Sequence, residues 1–359
     1  MRRAGGPRSG KKDGRNSLLN HGLTRRAALG AMAALPLASV ARGEDLAKAS
    51  IALLRLTSSG PVFIALEKGW FKEAGLDLAV KDFTAATQPP LAVVSGDADF
   101  GMTAFTAGFY NLAAKGGLKV IAAQSAERPG YQLVAIVVTN AAWDSGVRSI
   151  KDLAGKRLAM TTAGSSMHYS IEVVARKHGV DTKAITMVPL NSLPNMAAAF
   201  KGGTVDGAIW PVTTWRQVEA EAGGHLLAWV GDEAPWQLGG VFTSPKTIAE
   251  RRPLVEKFIA GYQRGAAAYN EAFGKRENGK LVPGPGYDEL LGVLATAVKQ
   301  TPALVAAGLP FIDPEGRLDV GDIYKQVELW KGQGQVARDA DPKTFVDLTF
   351  VKGHFNVPG

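Results

Sequence analysis

The stretch SIALLRLTSSGPVFIALEKGWFKEAGLDLAVKDF, residues 50–83, predicts the fold because it holds a strand, a helix and a second strand in succession. The apolar run at 50–57 is typical of a buried strand. Residues 61–75 have a helical pattern, with Pro61 in the first turn and Gly75 at the end. Residues 76–83 favour a strand by their alternation and length. Such a unit is the building block of a parallel sheet.

Strands and helices continue to alternate through most of the chain. Apolar runs predict further strands at residues 98–103, 118–125, 131–140, 157–162, 184–190, 205–210, 225–231 and 239–245. Helical patterns lie between most of these runs, and three more follow at about 249–273, 287–299 and 319–332. This alternation is typical of an α/β fold with mostly parallel sheets and helices on both faces.

Two similar turns indicate an internal repeat. The segments GDADFGMTA from Gly96 and GTVDGAIWP from Gly203 both run from glycine through a short turn and an aspartate into small apolar residues. The strand–helix order before each turn is also the same, which predicts two lobes of similar topology. Chance similarity between glycine-rich turns is the alternative.

The predicted lobes are formed from three segments of the chain. We expect lobe one to hold residues 50–138 and 239–359, with the C-terminal helices, and lobe two to hold residues 139–238. Two crossings, near Val138–Trp143 and Pro235–Val241, would form a hinge. Because ligands of open α/β sheets lie beyond the carboxyl ends of the strands, we expect a ligand in the cleft between the lobes.

The positive charge of the chain is concentrated at its start. Of the net charge of +8, residues 1–41 supply +7, from eight basic residues and one acidic residue. The net charge therefore does not indicate a nucleic-acid or membrane partner. Arg25 and Arg26 precede an apolar stretch that is too short to span a bilayer and that closes with the small residues Ser39-Val40-Ala41. We interpret residues 1–41 as a twin-arginine export signal; a surface helix with a basic start is the alternative.

The absence of cysteine bears on where the exported protein would reside. An exported chain without cysteine needs no disulfide framework, since its 359 residues can bury a large core. It also lacks the cysteine to which a lipid anchor is attached. We therefore expect a soluble monomer in the periplasm, without a lipid anchor.

Four stretches, in this order, resemble a known family: GPVFIALEKGWFKEAGLDLAV (60–80), AVVSGDADFGMTAF (92–105), SIKDLAGKRLAMTTAGSSMHY (149–169) and AAAFKGGTVDGAIWPVTTW (197–215). The family is that of the ABC-importer substrate-binding proteins of the nitrate, sulfonate and taurine class. The resemblance covers roughly residues 50–265. It implies the two-lobed type II periplasmic binding protein fold, a small-molecule ligand, and a permease and ATPase at the inner membrane as partners. The family also includes thiamine-pyrimidine precursor binders and fungal pyrimidine-synthesis enzymes, so the fold does not fix the ligand.

The candidate ligand-binding residues lie at strand ends and helix starts. The resemblance implies the turn after the first strand, Thr103 with Phe105, the stretch from Gly164 to His168, and Trp210. Helix-start N–H groups favour an anion, and serine hydroxyls either add donors or only cap the helix. The full set is Ser58, Ser59, Gln88, Thr103, Phe105, Ser125, Gly164, Ser165, Ser166, His168, Trp210 and Trp236.

Aromatic and hydroxyl groups without a cationic side chain suit a small organic anion, such as a sulfonate or an aromatic carboxylate, or a flat aromatic. Tryptophan at 210 would stack on the ligand, and Trp236 would either cover the ligand or pack in the hinge. His168 would donate to an oxyanion, or would be a surface or partly buried histidine. Bare nitrate fits this set less well.

The sequence lacks the motifs of the catalytic sites that these residue types could form. Residues 162–168 lack the glycine-x-serine-x-glycine motif of a nucleophile elbow, and no carboxylate partner for His168 is evident. Neither the cysteine of the fungal iron site nor a histidine–carboxylate spacing for a metal is found. The sequence therefore predicts a binding protein without cofactor or metal; an enzyme, or the sensory domain of a signalling protein, is the alternative.

Overall fold

The computed structural model describes residues 46–358. The predicted twin-arginine signal over residues 1–41 lies outside the described residues. Within residues 46–358, no helix has both the length and the apolar character needed to cross a bilayer.

The predicted strand–helix–strand unit is confirmed. Strand β1 (Ala47–Leu54) pairs in parallel with strand β2 (Leu76–Phe83) along its whole length. The connecting helix is divided into α1 (Gly60–Glu67) and α2 (Trp70–Glu73). The division occurs at Gly69, whose φ of 72° is left-handed and interrupts the helix.

The other elements follow the predicted order. The strands are β3 (Phe100–Ala104), β4 (Lys119–Ala123), β5 (Ala126–Glu127), β6 (Val134–Val138), β7 (Arg157–Met160), β8 (Thr186–Pro189), β9 (Gly207–Pro211), β10 (His225–Trp229), β11 (Trp236–Gln237), β12 (Gly239–Thr243), β13 (Arg276–Glu277) and β14 (Lys280–Leu281). The helices are α3 (Gln88–Ser95), α4 (Ala107–Ala114), α5 (Asn140–Asp144), α6 (Ser166–Lys177), α7 (Leu193–Lys201), α8 (Val212–Ala222), α9 (Val230–Glu233), α10 (Pro245–Phe273), α11 (Tyr287–Val298), α12 (Pro302–Ala307) and α13 (Val320–Gly332).

Ten of these strands form two sheets of the same topology. Sheet one has the order β2-β1-β3-β12-β4, and sheet two has the order β8-β7-β9-β6-β10. In each sheet four strands run in one direction, while β12 or β6 is antiparallel to both of its neighbours. The predicted α/β fold with mostly parallel sheets is confirmed, and the shared order agrees with two halves of similar topology.

The two sheets are connected by crossings that pair with each other. Strands β5 and β11 form a short antiparallel ribbon, in which Glu127 is opposite Trp236. The second crossing runs through β11 and lies within the predicted stretch Pro235–Val241. The first crossing does not lie at its predicted position. Strand β6 pairs with β9 and β10 in sheet two, so the first crossing lies at residues 124–133 and not at Val138–Trp143. An apolar run predicts a buried strand but does not tell which sheet the strand joins.

The helices after β12 return to sheet one and to the ribbon. In α10, Phe258 stacks on Phe100 of β3, with ring centroids 4.2 Å apart. The Tyr262 hydroxyl donates to the carbonyl of Ala123 at 2.6 Å, which fixes the end of β4. Helix α13 packs beside α4 and the ribbon, where Trp330 also reaches α6 of sheet two.

Candidate functional site

The turns after the parallel strands of the two sheets come together at two places, directly at one and through Gly308, which follows α12, at the other. The N–H of Ala107, at the start of α4, donates to the carbonyl of Gly164 in the turn after β7 at 2.9 Å. At the other place, Gly308 lies so close to Val212 that an added Cβ would be 2.6 Å from its Cγ1. The Gly308 carbonyl also accepts from the Thr57 hydroxyl, 2.6 Å away in the turn after β1. We call the space between the turns that follow β1, β3, β4, β7 and β9 the cleft.

Helix starts supply N–H donors to the cleft. The hydroxyl of Ser165 caps the N–H of His168 at 3.3 Å, and α4 is capped in the same way by the threonine that precedes it. Among the described residues, the N–H groups of Ser166, Met167 and Gly108 have no hydrogen-bond acceptor. Such groups, together with the helix dipole, favour an anion.

His168 holds the turn before α6 in place. Its Nδ1 accepts from the N–H of Gly164 at 3.0 Å, and its Nε2 lies 3.5 Å from a carboxylate oxygen of Glu172. No carboxylate partner for His168 is predicted from the sequence, but Glu172 lies one helical turn further on. Because both ring nitrogens are engaged, neither is left to act as a base for Ser165 or Ser166. The pair therefore orients the turn and does not form a catalytic triad.

The charge of Glu172 is kept by its surroundings. Burial alone would raise the pKa of the Glu172 carboxyl, but hydrogen bonds from His168, Gln333 and Thr182 outweigh burial and hold the pKa below its ordinary value. A carboxylate that accepts several hydrogen bonds remains ionised. The first turn of α6 is thus fixed by an ionised group that is almost fully buried.

The hydroxyl candidates on sheet one differ in what they contact. The Ser59 hydroxyl donates to the carbonyl of Leu54 at 2.8 Å, so it stabilises the turn after β1. Ser58 and Thr103 are buried at the same edge of the sheet. Ser125 is buried too, and its hydroxyl has no hydrogen-bond partner among the described residues. On sheet two, Ser166 is half-buried in the first turn of α6.

One polar residue at this edge is not among the candidates predicted from the sequence. Gln124 directly follows β4 and is 3% exposed, and its Nε2 lies 3.4 Å from the Ser58 hydroxyl oxygen. A polar side chain immediately after an apolar run of strand residues is the signal that could have revealed it. The predicted strand at 118–125 included Gln124 and so concealed it.

The three aromatic candidates all lie in the hydrophobic core. Phe105 packs on Phe109 of α4, with ring centroids 5.1 Å apart. Trp210 is fully buried against Phe200 of α7, with centroids 6.1 Å apart, and its indole Nε1 has no hydrogen-bond partner. Trp236 lies in the ribbon and packs on Tyr169, with ring centroids 4.6 Å apart. This agrees with the alternative in which Trp236 packs in the hinge. The structure thus places Phe105 and Trp210 in the core of their own sheets.

Gln88 lies apart from these residues. It is the first residue of α3 and is exposed. Its Oε1 accepts from the N–H groups of Thr84 and Ala85 at 3.1 and 3.0 Å. The side chain therefore closes the loop between β2 and α3.

A buried polar network connects the ribbon to α13. The carboxylate of Asp322 accepts from the N–H of Gln237 at 2.8 Å and from Nε2 of Gln326 at 2.9 Å. The Tyr110 hydroxyl of α4 donates to Gln326 Oε1 at 2.8 Å. Burial raises the pKa of Asp322 to about 6, because the charged form loses its hydration. Burial, together with the nearby charge of Asp232, also raises the pKa of Glu127 in the ribbon well above its ordinary value.

Cationic side chains are kept out of the interior. Among residues 46–358, every buried polar or charged side chain is neutral, acidic or histidine, and none is lysine or arginine. Two arginines that follow candidate residues in the sequence are partly exposed: Arg128 lies 4.0 Å from Asp319, and Arg216 lies 2.7 Å from Glu219. Within the same residues, no group of three or more histidine and acidic side chains is arranged to hold a metal ion.

A family model described as NMT1/THI5 like matches residues 57–272. No curated protein matches the chain. The match covers the four stretches that carry the resemblance, and the family that they predict is confirmed.

Solved structures show the same fold. The alkanesulfonate-binding protein SsuA from Xanthomonas axonopodis pv. citri, bound to MOPS, has a TM-score of 0.66 and 20% identity over 84% of this chain and 98% of that chain. The aliphatic sulphonate-binding protein SsuA from Escherichia coli has a TM-score of 0.67 and 18% identity over 87% and 97%. The nitrate-binding protein NrtA from Synechocystis PCC 6803 has a TM-score of 0.64 and 13% identity over 83% and 84%. The two-lobed fold of periplasmic binding proteins is thereby confirmed.

Proposed function

The chain belongs to the NMT1/THI5-like family, and we propose on this basis that it is the substrate-binding protein of an ABC importer. It captures a small organic anion, a sulfonate or an aromatic carboxylate, in the cleft and delivers it to a membrane permease and its ATPase. The residue set Ser58, Thr103, Ser125, Gly164, Ser165, Ser166 and His168 surrounds the cleft. Ser59 and His168 act by fixing the turns at the strand ends.

The observation that carries this proposal is the contact between Ala107 and Gly164. One backbone hydrogen bond of 2.9 Å joins the start of α4, which follows a strand of sheet one, to the turn before α6, which follows a strand of sheet two. An anion bound between these starts would contact both lobes only when they are closed. Its binding free energy would therefore favour the closed state, which is the signal that a permease can read.

The route of the protein to its site of action follows from the same proposal. Residues 1–41 would direct export by the twin-arginine pathway, and the remainder would be a periplasmic monomer without a lipid anchor. Fractionation of cells that express the full chain tests this: the processed protein is expected in the periplasm. Replacing Arg25 and Arg26 by lysine should retain the unprocessed protein in the cytoplasm, whereas unchanged export would overturn the assignment.

A screen of the purified protein by thermal shift tests the ligand class. Binding to the native state raises the free energy of unfolding by RT ln(1 + [L]/Kd), which raises the melting temperature; a ligand at about 100 times its Kd contributes about 2.7 kcal/mol. We expect a rise with sulfonates or aromatic carboxylates and none with nitrate. The absence of a shift with all organic anions would overturn the proposal.

A pyrimidine or thiamine-precursor ligand is the second candidate. It is favoured by one observation, the absence of lysine and arginine among the buried side chains of residues 46–358. A neutral heterocycle needs no cationic partner, so pyrimidines belong in the same screen. Mass spectrometry of the recovered ligand distinguishes a binder from a pyrimidine-synthesis enzyme, because only the enzyme would change the mass of the ligand.

A further inference from the structure

Gln124 and Ser125 carry polar atoms that the fold leaves unpaired at the cleft edge of sheet one. Their side chains are 3% and 2% exposed, and neither Gln124 Oε1 nor Ser125 Oγ has a hydrogen-bond partner among the described residues. An unpaired buried polar group destabilises a fold, and such groups are rare in native proteins. Two of them in succession, at the edge where ligands of α/β sheets bind, indicate that a partner comes from outside the chain.

The backbone that carries the Gln124 side chain is held in a fixed position, and the neighbouring Gly239 leaves room for the side-chain amide. The N–H of Gln124 donates to the carbonyl of Gly239 at 3.1 Å, and the preceding residue is fixed by the Tyr262 hydroxyl. An added Cβ at Gly239 would lie 2.3 Å from Gln124 Oε1 and 2.4 Å from the carbonyl oxygen of Thr103. Because residue 239 is glycine and has no Cβ, the side-chain amide of Gln124 fits beside it. A group held in place before binding loses little entropy when its ligand arrives.

The chemistry at this position is neutral. Gln124 Nε2 lies 3.4 Å from the Ser58 hydroxyl oxygen, so the subsite consists of an amide and two hydroxyls. Arg55, the cation nearest to Ser58 in the sequence, is held by Asp82 at 2.7 Å and by the carbonyl of Ala297 at 2.8 Å. In either orientation of the amide, one of its atoms pairs with Ser58 and the other remains free. A hydroxyl group satisfies the free atom in both cases, since it donates and accepts.

We propose that Gln124, together with Ser58 and Ser125, holds an uncharged hydrogen-bonding group of the ligand. This inference rests on the proposed function, in which the anionic group of the ligand binds at the starts of α4 and α6. The ligand is then an organic anion that carries a second polar group, such as a hydroxyl or an amide. Nitrate, unsubstituted alkanesulfonates and benzoate lack this group.

Two pairs of probes test the inference by isothermal titration: ethanesulfonate against 2-hydroxyethanesulfonate, and benzoate against 4-hydroxybenzoate. In the native protein we expect the hydroxylated member of at least one pair to bind ten-fold or more tightly. In Gln124→Leu this preference should fall to two-fold or less, while the affinity for the unsubstituted member stays the same. Gln217→Leu is the matched control, because Gln217 is exposed on α8 and should keep the preference.

A second readout separates ligand recognition from a structural role. Leucine removes the unpaired amide, so the melting temperature of ligand-free Gln124→Leu should equal or exceed that of the native protein. A clear fall in melting temperature, or a preference that survives in Gln124→Leu, would overturn the inference. If Gln124→Leu does not fold, Ser58→Ala takes its place, and an undiminished preference in that variant has the same meaning.

The outcome for the native protein also distinguishes the two levels of the proposal. Binding of the probes without any preference for the hydroxylated members overturns the Gln124 inference and leaves the proposed function intact. Binding of none of the four probes, with no thermal shift from any organic anion, overturns both. A preference of ten-fold or more that depends on Gln124 supports both.

Discussion

Gly164 meets two demands that a side chain cannot satisfy together. Its φ is 72°, and an added Cβ would lie 2.8 Å from the Cβ of Ala107 and 2.5 Å from Gln335 Oε1. We predict that Gly164→Ala keeps the two sheets from meeting at this point and weakens ligand binding ten-fold or more. Titration of the ligand found by thermal shift measures the effect.

The backbone strain of Gly164→Ala has a matched control in the same lobe. Gly179 has nearly the same φ, 71°, but an added Cβ would have no neighbour within 4 Å. Gly179→Ala should therefore cost the same roughly 1–2 kcal/mol of left-handed strain without affecting affinity. Equal affinities for the two variants would show that the contact with Ala107 does not matter for binding.

Trp210, which is predicted from the sequence to stack on the ligand, also packs in the hydrophobic core. Because it is fully buried beside Phe200, we predict that Trp210→Ala lowers the free energy of unfolding by about 3–5 kcal/mol. Urea denaturation measures this loss. Ser166→Ala, at a half-buried position, should instead weaken binding with little change in stability. A fully stable Trp210→Ala variant with weakened binding would place the indole in the cleft.

The site could be predicted from sequence only as far as local patterns reach. Ser165 and His168 could be assigned to a helix start, because a serine before an apolar-periodic segment is a local signal. Glu172 could also be assigned to His168, since it lies four residues further along the same helix. The contact with Gly164 could not, since it depends on the geometry of the turn. Gln88 and Trp210 have the right residue types at strand and helix ends. Their actual contacts depend on which way each side chain leaves the backbone, which the sequence does not specify.

At the level of elements, α13 is joined to the ribbon by the carboxyl of Asp322, whose pKa is raised by burial. The pKa of Asp322 rises from an ordinary value of 3.8 to about 6 on folding, so the folded state binds this proton more tightly than the unfolded state. Stability from this group is present below pH 3.8 and is lost as the pH rises through about 6. At roughly 1.4 kcal/mol per pH unit, the loss is about 3 kcal/mol.

Asp322→Asn should remove this part of the pH dependence. Urea unfolding at pH 4 and pH 7 is expected to show that the variant gains about 2–3 kcal/mol relative to the native protein between these values. The amide oxygen of asparagine can still accept from Gln237. Asp144→Asn removes one carboxyl at an exposed position and is the control for the change in net charge. Identical pH profiles for Asp322→Asn and the native protein would contradict the predicted titration.

Elements with a clear period were predictable, and elements without one were not. Strand β2 has the bounds that its pattern predicts, 76–83. Strands β5 and β11 are two residues long, too short for any periodicity to appear, and they exist only because the crossings pair. The sheet that β6 joins depends in the same way on contacts with β9 and β10, which are distant in the sequence.

At the scale of the whole molecule, the proposed function predicts that the two lobes move. The chain has no cysteine, so Gly108→Cys combined with Ala163→Cys introduces the only two thiols. Both positions are exposed and directly adjoin the hydrogen-bonded pair Ala107 and Gly164. A short thiol-to-thiol crosslinker should join them faster when ligand is present, because ligand favours the closed state. The rate is read from the shift of the crosslinked species in gel electrophoresis.

The single-cysteine variants control for reactivity of each thiol. If crosslinking is equally fast with and without ligand, while thermal shift shows that the ligand binds, lobe closure on binding is wrong. Loss of crosslinking in a triple variant that also carries Gly164→Ala would connect the motion to the contact at Ala107.

The interleaving of β12 into sheet one has a consequence for how the protein is made. Strand β12 lies between β3 and β4, yet the ribosome completes every strand of sheet two before it reaches residue 239. Sheet two is contiguous in the sequence from β6 to β10, so it is complete first. Until β12 is made, the edges of β3 and β4 that pair with it remain unpaired. Such edges are prone to pair with other chains. A nascent chain stalled or cleaved before Gly239 would thus leave a finished second lobe attached to a first lobe that aggregates.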